Sequence, residues 1–147
     1  MKNKTRFIEV IFSFFCILVA GLIYFGFRPE KLAMFTWAEW LGLRDVIQTY
    51  RSVCSTVVLP EWIKYSLPDG LWTISYLLLL DSIWMDSRNR MFMLFALIMP
   101  LIAIVLEFFQ LFGLLTGTFD IVDLCCYLGA ITIFLFYKYQ ILQVSKI

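Results

Sequence analysis

The run "FIEVIFSFFCILVAGLIYFGF" at residues 7 to 27 constrains this chain more than any other feature. At 1.5 Å per helical residue, a helix of that length matches the hydrocarbon core of a bilayer, about 30 Å thick. Three further apolar stretches, at 67 to 85, 91 to 112 and 120 to 137, are long enough to do the same or nearly so. A chain of 147 residues has room for one domain, and 62% hydrophobic content with a mean hydropathy of +0.86 lies outside the range of soluble globular proteins. The expected fold is all-α: a single-domain integral membrane bundle of four transmembrane helices spanning residues 1 to 147.

The first run follows Lys2, Lys4 and Arg6, as a signal peptide would. No small-x-small cleavage site precedes "FRPE", and Cys16 in "SFFC" lacks the small neighbour that a lipoprotein site requires, so a retained helix is expected. With four spans, Lys2, Lys4, Arg6, Arg88, Arg90, Lys138 and Lys146 fall on one side. The positive-inside rule then puts both termini in the cytoplasm, with the chain crossing the membrane several times. Arg28, Lys31, Arg44, Arg51 and Lys64 lie in the opposite, outer segment at 28 to 66, so short loops carry the bias.

Within that outer segment, Trp40, Leu43, Ile47, Tyr50, Cys54 and Val57 recur at alternating spacings of three and four. This pattern predicts an amphipathic helix over about 36 to 58, resting on the membrane or capping the bundle, with Trp37, Trp40 and Trp62 suited to the headgroup layer. A packing role is the simpler reading, since amphipathicity alone specifies no ligand.

Several chemistries are excluded by what the sequence lacks. It has no histidine, hence neither the commonest zinc ligand nor the usual general base near neutral pH. The four cysteines form no CxxC pair, and no GxSxG elbow, phosphate-binding glycine loop or basic aromatic stripe for nucleic acid is present. Any chemistry must come from carboxylates.

Those carboxylates gather in one layer. Glu107 lies about five residues, or roughly 8 Å, inside the outer end of the third span, with Gln110 one turn above it. Asp120 and Asp123 open the fourth span, and "LPDGLW" brings Asp69 to the start of the second. Asp120 suits an N-cap, Asp123 a first-turn charge favoured by the helix dipole, and Asp69 a cap after Pro68. Gln110 suits an interhelical hydrogen bond. Glu107 is harder to explain structurally, because a charge within a span costs about 2.5 to 3.5 kcal/mol on insertion scales and calls for a partner. Its candidate partners are Gln110, a protonated Asp, Arg44, Arg51 or a bound metal. No cofactor is expected; were an ion held, all-oxygen donors would suit magnesium, manganese or calcium better than zinc. Asp81 is expected to reach toward Arg88 or Arg90, and Pro100 to bend the third span about two turns before Glu107.

At these residues the chain resembles the VanZ-like membrane proteins. Glu107 and Gln110 fit E-x-x-Q, Gly117, Asp120 and Asp123 fit G-x-x-D-x-x-D, and Gly129 in "CCYLGA" fits the small-residue patch that follows, about 23 residues in all. At the second span the family's aspartate-lysine-x-x-histidine motif retains Asp69, has Gly70 at the lysine position and lacks the histidine. The resemblance implies a bacterial envelope protein, associated in some members with tolerance to teicoplanin-type glycopeptides. Three functional classes follow. The first is an outer-leaflet acidic pocket for a membrane lipid or a lipid-linked or lipophilic envelope molecule. The second is a structural or regulatory subunit of a larger membrane complex with a protein partner. The third, least supported, is a carboxylate or metal enzyme acting on a lipid headgroup.

Overall fold

The computed structural model describes residues 2–85 and 90–144, and over them the chain is a bundle of seven helices. In chain order these are α1 (Lys2–Phe27), α2 (Ala33–Trp40), α3 (Arg44–Cys54), α4 (Glu61–Tyr65), α5 (Leu67–Ile83), α6 (Arg90–Leu111) and α7 (Ile121–Val144). Three of them, α1, α6 and α7, are long and apolar enough to cross a membrane. The predicted second span is α5, whose 17 residues extend about 25 Å, short of a hydrocarbon core.

What α5 lacks in length it makes up in burial. Eight of its residues are buried, and it packs against α1, α6 and α7 alike. Small side chains permit this closeness. A Cβ on Gly70 would meet Cys126 Cβ at 3.1 Å and the Cys126 carbonyl oxygen at 3.2 Å, so α5 and α7 nearly touch there. Facing α1, Ser75 and Ser13 exchange hydroxyl-to-carbonyl hydrogen bonds of 2.9 Å in both directions. Leu77 and Leu78 then form the apolar core with Phe92, Ala96 and Phe134. The outward faces of α1 and α6 expose Phe7, Phe14, Leu18, Leu94, Met99 and Leu101, as helices surrounded by hydrocarbon do.

The predicted amphipathic helix at 36 to 58 is broken in two. Gly42 has a φ of 72°, and the Leu43 N–H bonds the Ala38 carbonyl at 3.0 Å while the Gly42 N–H bonds Glu39 at 2.9 Å. This Schellman closure ends α2 where the apolar periodicity runs on unbroken. Of the predicted stripe only the middle packs: Cys54 is buried and Ile47 and Tyr50 are half-buried, whereas Trp40, Leu43 and Val57 are exposed. Through this middle, α3 lies across the C-terminal end of α1. Arg51 Nη1 donates to the carbonyls of Phe25 and Arg28 at 2.8 and 2.9 Å, its Nε pairs with Glu30 at 3.1 Å, and the Tyr50 hydroxyl donates to Leu22 O at 3.1 Å. A cation on terminal carbonyls is the expected complement to a helix dipole.

At the end of the bundle where α1 begins and α7 finishes, a second polar group ties the helices together. Lys138 of α7 pairs with Asp81 of α5 and with Glu9 of α1, the latter at 3.2 Å, and the Tyr137 hydroxyl donates to the same Glu9 oxygen at 3.3 Å. Among the described residues Asp81 pairs with Lys138; Arg88, one of the two arginines toward which it is expected to reach, lies outside them. Pro100 is buried in α6, which runs on to Leu111 as one helix.

Candidate functional site

Helix α6 ends as α2 does. Gly113 takes a φ of 68°, and the Leu114 and Gly113 N–H groups bond the Phe109 and Gln110 carbonyls at 2.8 and 3.0 Å. This second Schellman closure turns the chain back toward the bundle. At Gly117 φ is 137°, and a Cβ there would lie 2.9 Å from Gln110 Cδ and Nε2. That φ, which L side chains rarely adopt, is what calls for glycine at this point of the loop. The loop then delivers Asp120 to the start of α7, where its Oδ1 accepts the Val122 N–H at 2.8 Å and its own N–H donates to Glu107 Oε2 at 3.3 Å.

Asp120 is therefore the N-cap of α7, and Glu107 adds a second carboxylate at the same helix end. Glu107 is only 7% exposed, which makes this backbone contact its described anchor. The arginines proposed for it are engaged elsewhere: Arg51 with Glu30, and Arg44 with Glu39 at 2.6 Å on the surface. Asp69 is not a cap. Ser66 precedes α5, and Asp69 in its first turn pairs with Arg28 at 3.4 Å. The Arg28 guanidinium also donates to the Tyr65 carbonyl and lies over the Tyr24 and Tyr65 rings at 5.6 and 5.2 Å.

These groups surround one cavity of about 910 Å³, where α1 and α6 end and α5 and α7 begin. All five residues singled out from the sequence line it: Asp69, Glu107, Gln110, Asp120 and Asp123. The structure adds Arg28 from the end of α1, Glu61, Trp62 and Tyr65 from α4, and Tyr24 and Trp72 as a ring pair 5.4 Å apart. Ser66 is wholly buried in the wall, with its hydroxyl beside the Asp123 carboxylate. Beside this space, and sharing Asp69 and Trp72 with it, lies a second cavity of about 300 Å³ at Pro100, walled mainly by Tyr76, Met99, Ala103 and Tyr127. Among the described residues, no group of three or more cysteine or carboxylate side chains is gathered to hold a metal ion.

Sequence reasoning counted Arg28 only as an outer charge, although it follows the first span directly. Tyr24 and Trp72 carried no signal apart from being aromatic. Glu9, by contrast, offered the same signal as Glu107, a carboxylate within an apolar run. Compared with family models, with curated proteins and with solved structures, the chain matches none.

A carboxylate-rich, aromatic-walled cavity of this size can bind an organic molecule.

Proposed function

We propose that the chain is a VanZ-like membrane protein of the bacterial envelope, crossing the cytoplasmic membrane four times with α5 as the central span and both termini in the cytoplasm. Its cavity then opens at the outer leaflet and binds a lipid-linked or lipophilic envelope molecule. By the same resemblance, the protein contributes to tolerance of teicoplanin-type glycopeptides. The observation that carries this reading is the meeting of Asp69, Glu107, Gln110, Asp120 and Asp123, from three helices and a loop, on one cavity large enough for a ligand. Helix capping accounts for Asp120 but leaves Asp69, Glu61 and Asp123 around an open space.

The test is teicoplanin susceptibility in a susceptible Gram-positive host producing the wild type, Glu107→Gln or Asp120→Asn, with membrane abundance measured for each. Protection by the wild type, lost in both variants at equal abundance, is the expected result. Absence of protection from well-produced wild type would remove the resistance role.

A further inference from the structure

The lining of the large cavity is electrostatically lopsided. Five carboxylates, those of Glu61, Asp69, Glu107, Asp120 and Asp123, share it with one cationic side chain, Arg28. Arg28 is already committed to Asp69, to the Tyr65 carbonyl and to two aromatic rings. Glu107 and Asp120 each direct one oxygen at the N-terminus of α7, whose partial positive charge does not neutralise two acids. In the wall, the Asp123 carboxylate has the wholly buried Ser66 hydroxyl for a neighbour, a neutral donor that does not offset its charge. A ligand donating from a positive centre would satisfy these acceptors and offset the charge together.

The remaining walls suit the same chemistry. Trp62 and Trp72 line the space, and indole is the ring that attracts a cation most strongly. The chain's own Arg28, seated over Tyr24 and Tyr65, already uses this attraction. The neighbouring cavity at Pro100 shares Asp69 and Trp72 with the first and is otherwise largely apolar, a lining suited to a hydrocarbon chain.

We infer that the site takes an amphiphile bearing an organic ammonium, with the ammonium among Glu107, Asp123 and the two tryptophans and the alkyl part in the cavity beside Pro100. This rests on the reading of the cavity as a binding site and names its ligand class. The amine can belong to a lipid headgroup or to a lipophilic amine arriving from water.

Hexylammonium, hexanol and hexanoate differ in charge at one chain length, so titrating each into the full chain in uncharged maltoside micelles, followed by tryptophan fluorescence, isolates the charge. Hexylammonium is expected to bind at least about tenfold more tightly than hexanol, and hexanoate more weakly than either. In Glu107→Gln/Asp123→Asn the preference for hexylammonium over hexanol should disappear. The wild-type series decides the matter even if that variant does not fold. Equal affinity for hexylammonium and hexanol overturns the ammonium assignment and leaves the binding site standing; binding of none of the three overturns both. In phosphatidylglycerol nanodiscs, added phosphatidylethanolamine competes with hexylammonium if the headgroup supplies the amine, and leaves its affinity unchanged if the amine comes from water.

Discussion

Replacing Lys138 by methionine removes the cation that two buried carboxylates share. Glu9 and Asp81 are 1% and 0% exposed, and Lys138 reaches both from α7. Breaking a buried ion pair from one side costs about 3 to 5 kcal/mol, because the remaining charge has lost both water and partner. Here the lower end applies: the Tyr137 hydroxyl still donates to Glu9, and protonation offers a buried carboxyl an escape. A loss of about 3 kcal/mol corresponds to a fall in Tm of roughly 6 to 12 °C for a chain of this size. Thermal denaturation of the purified protein in detergent measures it. The triple variant Lys138→Met, Glu9→Gln, Asp81→Asn should recover at least half of the loss, since it removes both buried charges along with the cation they share. A single variant as stable as wild type, or a triple variant less stable than the single, would refute the reasoning.

Gly70→Leu should destabilise the bundle by about 1 to 3 kcal/mol in the same assay, because the new side chain meets backbone as well as Cβ of Cys126 and α7 must move. Ser13→Ala and Ser75→Ala should show a coupling of about 0.6 kcal/mol in a double-mutant cycle, the average for hydrogen bonds between membrane helices. Tyr50 is pushed up to about 12 from the ordinary tyrosine value near 10, first by burial and then by Cys54 beside it. Its contribution to docking α3 on α1 should hold below pH 10 and be lost as pH rises through 12, a window that Tyr50→Phe should abolish when hydrogen exchange of α3 is followed against pH.

How much of this the sequence disclosed depended on the range of the interaction. Apolar length located the helices: the predicted starts at 67, 91 and 120 fall within a residue of α5, α6 and α7. The polar layer was legible because Glu107, Gln110, Asp120 and Asp123 lie within 17 residues across one tight turn, and Asp69 follows from helix polarity. The split of the outer helix was hidden, since Gly42 interrupts the backbone without interrupting the apolar spacing. Contacts between distant segments left less trace. Lys138 pairs with acids 57 and 129 residues away, and Arg28 reaches Asp69 across 41. Side chains brought together only by bundle packing have no local pattern to betray them.

The proposed function stands on a ligand held in the acidic cavity. Native mass spectrometry of the full chain, released from mild detergent after purification from a bacterial membrane, tests it most directly. The wild type should retain a discrete bound lipophilic molecule that Glu107→Gln/Asp123→Asn loses, with both proteins melting in a single transition. Bare wild-type protein across gentle activation energies, or the same molecule on the folded variant, would contradict it.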